Sequence, residues 1–326
     1  MIDRRAVIVV LAGILFALSP GAHAQTAGKT AKIGWLGLDS SMQAGRLLAF
    51  QRGLRELGYV EGRNIHIEYR FAEGDFGRLP ELAAELVALH VDVIVTASPP
   101  GVRAARLATS TIPIVMIVHE PVLMGFAETF ARPGRNITGI AFQDTDLSTK
   151  RIDLFRQAVP GLSRVVLIWN GVEGTLEPSL KAIEDAAKSQ GMQVLSLEVK
   201  VPGDFAVAIA KAKAWGAQGV VEMASPFITK NRKILLDLLR ENRLPATCEM
   251  RLYVVDGCLM TYSASLDAMF HREAYYVDRI LKGANPADLA MEQPREFEFV
   301  INLKAARELG LTIPQLLLFQ ANEVIR

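Results

Sequence analysis

The chain has 326 residues, 50% of them hydrophobic and 22% charged, with a formal net charge of +1 at pH 7. This excludes a disordered or collagen-like chain, and the length fits two domains better than one. Two cysteines, Cys248 and Cys258, are too few for a disulfide-stapled scaffold or a structural zinc site, and a near-neutral chain is a poor nucleic-acid binder.

The amino terminus has the layout of a secretory signal peptide spanning residues 1–24. Asp3-Arg4-Arg5 precedes the apolar run 6–18, then Ser19-Pro20-Gly21 and the small-residue motif Ala22-His23-Ala24. An apolar run of about 13 residues falls short of the roughly 20 needed to cross a bilayer. Residues 1–24 carry a net positive charge, so cleavage leaves a formally neutral mature chain. No cysteine follows the cleavage position to take a lipid, so a soluble periplasmic protein is expected, not embedded in the membrane after cleavage. Arg4-Arg5 leaves twin-arginine and general secretion both open.

After residue 25, strand and helix patterns alternate. Residues 32–38 read as a strand, and Asp39-Ser40-Ser41 leads into a helix over 42–57, with Leu47, Phe50, Leu54 and Leu57 spaced at 3, 4 and 3. A strand at 65–70, a helix at 76–89, a strand at 91–97, a helix at 102–108 and a strand at 114–118 follow. Runs such as VDVIV and IPIVMIV suit strands buried on both faces, as in parallel sheets covered by helices. After the turn-rich stretch 132–136 the alternation restarts. Helices are expected at 150–159, 178–190, 204–215 and 231–242, with strands at 163–169, 193–199, 220–224, 246–248 and 257–262. Two such series without a Pro-rich or Ser-rich linker imply two Rossmann-like α/β lobes, each a three-layer αβα sandwich, with a ligand cleft between them.

The catalytic search returns little. His66, His90, His119 and His271 lie scattered, without metal-ligand spacing. No G-x-S-x-G elbow, P-loop or G-x-G-x-x-G occurs, so no catalytic residue, metal or cofactor is expected. Cys248 and Cys258 fall at the end of one expected strand and the start of the next, which reads as two unpaired buried thiols.

The loops after the strands are the candidate ligand contacts. In the first series these are Asp39, Ser40, Ser41 and Met42, then Ser98 and Pro99, then His119, Glu120 and Pro121; Phe142 falls at the passage between lobes. In the second they are Asn170, Ser225, Phe227, Arg251 and Tyr262. Short hydroxyl residues before helices are ordinary caps, but free N–H groups at helix starts also attract carboxylates. Asp39 and Glu120 could meet an ammonium group, and Phe227 and Tyr262 could stack on an apolar one.

Several segments resemble the ABC-transporter substrate-binding proteins of the tryptophan/tyrosine type. They are GLRELGYVEGRNIHIEYRFAEGD (53–75), RLPELAAELVALHVDVIVTAS (78–98), STIPIVM (110–116), FARPGRNITGI (130–140), LFRQAVPGLSRVVLIWN (154–170) and EFVINLKAARELGLTIP (298–314). The resemblance implies a type I periplasmic-binding-protein-like fold that closes on a small solute and hands it to an ABC permease with its ATPase. It also implies a discontinuous layout: residues 25–141 plus about 264–290 form lobe one, and 142–263 plus about 291–326 form lobe two. Ala141-Phe142 and Ser263-Ala264 are then hinge residues. Two motifs depart from the family's frequent forms: Glu120-Pro121-Val122 stands for Asp-Pro-Val, and Thr261-Tyr262-Ser263 for Ser-Tyr-Gly. The expected cargo is an amino acid or related small carboxylate. The alternatives are an exported ligand-binding sensor or an exported α/β enzyme.

Overall fold

The computed structural model describes residues 30–40, 43–142, 144–171 and 177–326. The secretory-signal segment therefore lies outside the described residues, and no helix among those described is long and apolar enough to cross a membrane.

The first sheet has the order β2-β1-β3-β4-β5, all parallel. Its strands are β1 (Ala31–Gly37), β2 (Ile65–Phe71), β3 (Val93–Thr96), β4 (Ile114–His119) and β5 (Ile137–Phe142). Successive side chains in a strand point to opposite faces. Ile33 and Trp35 of β1 enter one apolar layer and Leu36 enters the other, so both faces demand a cover. Helices α2 (Leu79–Ala88) and α3 (Pro99–Ala108) cover one face, and α1 (Ala44–Glu56) and α10 (Leu266–Leu281) cover the other. Gly53 of α1 lets α10 approach closely, since a Cβ there would collide with the His271 carbonyl oxygen.

The second sheet has the order β12-β11-β10-β9-β8-β6-β7. It comprises β6 (Arg164–Trp169), β7 (Gln193–Glu198), β8 (Gly219–Glu222), β9 (Ala246–Cys248), β10 (Met260–Ala264), β11 (Phe297–Asn302) and β12 (Glu323–Ile325). Only the β10–β11 pairing is antiparallel. Helices α4 (Asp144–Ala158), α5 (Glu177–Ser189), α11 (Leu303–Glu308) and α12 (Gln315–Gln320) lie on one face. On the other lie α6 (Asp204–Trp215), α7 (Pro226–Lys230), α8 (Arg232–Glu241) and α9 (Arg251–Val255). Each lobe is thus an αβα sandwich.

The chain passes between the sheets three times: after β5, at Ser265 after β10, and between Glu292 and β11. These passages are tied together. The Ala141 N–H donates to the Glu292 carbonyl at 2.9 Å, the Ser265 N–H to the Glu296 carbonyl at 2.9 Å, and the Ser265 Oγ to a Glu298 carboxylate oxygen at 2.6 Å. Strand β5 has a weak sequence signal because Gly139 interrupts it. Its φ of 143° brings the backbone against Met116, where a Cβ would collide with the carbonyl oxygen.

One expectation is overturned. Cys248 and Cys258 form a disulfide, with Cα atoms 6.6 Å apart. Strand β9 is only three residues long, roughly 10 Å at about 3.3 Å per residue, so its two ends are not the distant sheet edges that a longer strand would have. Helix α9 folds the intervening chain back and delivers Cys258 beneath Cys248, within the span that a disulfide bridges.

Candidate functional site

The carboxyl ends of β1, β3 and β4 face those of β8, β9 and β10 across a cleft with a volume of about 200 Å³. Lobe one contributes Leu38, Ala97, Ser98, Pro99, Ile117, Val118 and His119 from loops and strand ends, and Arg46 from α1. Lobe two contributes Met223, Ala224, Ser225, Thr229, Glu249 and Met250, with Leu147 and Arg151 from α4. Ser263 and Ala264 close β10, and Leu266, Met269 and Phe270 of α10 complete the wall. Apolar walls with a few convergent polar groups characterise small-molecule sites.

The floor in lobe two is a connected polar network. Arg151, 4% exposed, donates from Nε to the Tyr262 carbonyl at 3.1 Å and from Nη1 to the Glu249 carboxylate at 2.9 Å. Glu249 also accepts the Ala224 N–H at 2.9 Å, and its own N–H donates to Glu222 Oε2 at 3.1 Å. Burial, reinforced by the Glu249 charge, pushes the Glu222 carboxyl up to about 8, so it is largely protonated at neutral pH. Below it the Thr229 and Tyr253 hydroxyls lie 3.0 Å apart, and burial drives the Tyr253 phenol well above its usual range.

Of the residues singled out from the sequence, Ser98, Pro99, His119 and Ser225 line this cleft. Asp39 and Phe227 line a neighbouring cavity with Lys230, at the edge where the lobes meet, and Phe227 also stacks on Phe205, with ring centroids 5.8 Å apart. Ser40 donates from Oγ to Glu73 at 3.1 Å on an exposed turn. Ser41 and Met42 lie outside the described residues. Glu120 adopts a left-handed φ of 44° that turns the chain away, so neither it nor Pro121 lines the cleft. Phe142 ends β5 opposite His119, and its side chain lies outside the described set. Asn170 is buried and donates to the Val199 carbonyl at 2.6 Å. Arg251 forms a two-point pair with Glu323 on β12, at 2.6 and 2.7 Å. Tyr262 stacks on the exposed Phe297 and packs edge-on against Phe299 at the margin of the lobe-two core.

The two arginines were not singled out from the sequence, although a signal existed. Arg46 shares the inward stripe of α1 with Phe50 and Gly53, and Arg151 shares that of α4 with Leu147, Leu154, Phe155 and Ala158. A cation on an otherwise apolar helical stripe marks a group held for a purpose.

The free helix starts envisaged as carboxylate cradles are absent at Ser98. Pro99 and Pro100 have no N–H, the Gly101 N–H donates to Ser98 Oγ at 3.1 Å, and the Val102 N–H to the Ser98 carbonyl at 3.0 Å. Among the described residues no group of three or more His, Cys, Asp or Glu side chains could hold a metal ion.

Two αβα lobes joined by three strands of chain, with an apolar cleft at the carboxyl ends of their sheets, define a type I periplasmic-binding-protein-like molecule. The chain belongs to the ABC transporter substrate binding protein family, whose model matches residues 40–325; this is a family of solute-binding proteins rather than enzymes. Among curated proteins, the tyrosine-binding protein of Clostridioides difficile (strain R20291) is 24% identical over 264 residues, 80% of this chain and 75% of that one. The ABC domain from Streptococcus pneumonia in complex with L-Trp has a TM-score of 0.85 at 22% identity, covering 91% of this chain and 100% of its own. A ligand-free, open substrate binding protein with adhesive properties from Clostridium difficile gives 0.71 at 20% identity, with 91% and 99% covered.

Proposed function

We propose that this protein is the periplasmic solute-binding component of an ABC importer, capturing an amino acid or related small carboxylate between its lobes and delivering it to a membrane permease. The observation that carries this reading is the cleft: residues from both lobes line it, at the strand ends where open α/β sheets bind ligands. The hydrogen bonds that join the three passages suit a hinge at Ala141-Phe142 and Ser263-Ala264. A solute that touches both lobes favours the closed form by its differential affinity for it, and closure is what a permease can recognise. The tyrosine- and tryptophan-binding relatives support a carboxylate-bearing cargo. The Cys248–Cys258 disulfide supports export, since such bonds persist in oxidising compartments.

The test is a thermal-shift screen of the purified protein against amino acids, aromatic and aliphatic acids, nucleosides and sugars. A solute at about a hundred times its Kd adds roughly 2.7 kcal/mol of stability. A shift with one chemical class and no turnover supports the reading, and no shift with any class contradicts it.

A further inference from the structure

Three of the helix starts at this cleft offer a negatively charged solute few free main-chain donors. The start of α3 offers none, as described above. At Ser225, Pro226 has no N–H, and the Ile228 and Thr229 N–H groups donate to the Ser225 hydroxyl and carbonyl. At the start of α10, the Ala268 and Met269 N–H groups donate to the Ser265 hydroxyl and carbonyl. At these three starts a charge is better met by a side chain than by the main chain.

Two arginines line the cleft. Arg151 is engaged by Glu249 and the Tyr262 carbonyl. Arg46 differs: among the described residues it has no carboxylate partner, and its guanidinium lies 5.5 Å from the ring centroid of Phe270, another wall residue. Burial of this cation lowers its pKa, the signature of a charge that has lost water without gaining a counter-charge. Among the described lining residues Glu249 is matched by Arg151, Glu222 beneath it is largely protonated, and the remaining positive charge is that of Arg46. Around it the surface is aliphatic, with Leu38, Ile117, Met223, Met250 and Met269. A volume of about 200 Å³ lies below the range typical of drug-sized ligands.

We propose that Arg46 holds the carboxylate of the cargo as an ion pair, with Phe270 against its guanidinium, and that the cleft thereby selects monocarboxylates with a compact apolar body over their amides and over sugars. This rests on the reading of the cleft as a solute site and names the residue and the ligand chemistry that the site reads. A guanidinium suits the task because its planar fork matches a carboxylate at two points.

The experiment titrates the full purified protein with 3-phenylpropanoate, 4-methylpentanoate, L-phenylalanine, L-leucine, the four corresponding amides and D-glucose, using wild type, Arg46→Gln and Arg46→Lys. Wild type should bind at least one acid or amino acid about tenfold or more tighter than its amide, the advantage expected of a charge-assisted pair. Arg46→Gln should erase that ratio with the fold intact by circular dichroism, and Arg46→Lys should restore part of it. Binding confined to amino acids would assign the carboxylate to an amino acid, and equal binding of the deaminated acids would assign it to a simple acid; both retain the anchor. An amide that binds as tightly as its acid, or an unchanged ratio in Arg46→Gln, overturns the anchor. If Arg46→Gln does not fold, the acid-to-amide ratio in wild type and Arg46→Lys decides. Glucose binding with every acid silent overturns the anchor while leaving the solute-binding reading standing, and no binding by any probe overturns both.

Discussion

Arg151 of helix α4 and Glu249, just past strand β9, lie 2.9 Å apart in the cleft floor, and the pair joins the helix layer of lobe two to the carboxyl end of the central strand of its sheet. Removing one partner strands the other. Arg151→Met should cost about 3 kcal/mol, because it leaves the Glu249 carboxylate poorly compensated beside Glu222. Arg151→Met combined with Glu249→Leu should recover much of that loss. Urea unfolding of the three proteins checks this, and a single-variant cost below about 1 kcal/mol contradicts it.

Glu222 makes stability depend on pH. Its folded pKa of about 8 lies above its ordinary 4.5, so the folded state keeps a proton that the unfolded chain releases. The stability associated with this group is complete below about pH 4.5 and is lost as pH rises through about 8. Glu222→Gln should flatten the decline in Tm between pH 5 and pH 9. A variant profile parallel to wild type would remove Glu222 as its cause.

Glu273 of α10 is fully buried in lobe one, and neither carboxylate oxygen has a hydrogen-bond partner among the described residues. Burial holds its pKa well above the carboxylate range. The sign is the same as for Glu222: the folded form holds its proton, and stability falls as pH rises. Glu273→Met should raise Tm at pH 8, with a smaller gain at pH 5, as followed by calorimetry. A lower Tm at both values would mean that the carboxyl has a structural task.

The disulfide closes a short loop that carries the cleft residues Glu249 and Met250. A loop of this length constrains the unfolded chain by roughly 2–3 kcal/mol. The Cys248→Ser/Cys258→Ser protein should be less stable by that amount and melt at a lower temperature, and a reductant should bring wild type to the same Tm. A reductant that leaves the wild-type Tm unchanged, with free thiols detected, would contradict this.

The alternation of the fold was legible because strands buried on both faces read as continuous apolar runs, as in β1 and β4. What escaped notice had weak local signals. Strand β5 is broken by Gly139, α7 and α9 have only five residues each, and β12 is a three-residue edge. The disulfide was misjudged because the shortness of β9 and the turn back through α9 are tertiary facts. At the site, strand-end loops pointed to Ser98, His119 and Ser225. Arg46 and Arg151 left a local hint as cations on apolar helical stripes, but that they and Phe270 reach the cleft from behind those loops follows only from how the layers stack. Tyr262 and Arg251 sit beside plausible loops, but their partners, Phe297 and Glu323, lie far along the chain.

Helix α10 packs on α1 and completes the layer over Trp35 and Phe50, yet it is encoded after most of lobe two. During synthesis the first sheet is therefore finished long before its second helical cover exists, and the indole of Trp35 has no Phe270 to meet. The amino-terminal half is an apolar surface awaiting its lid, which a chaperone would recognise. Truncations ending before residue 266 should accordingly aggregate, even though every strand of the first sheet is present.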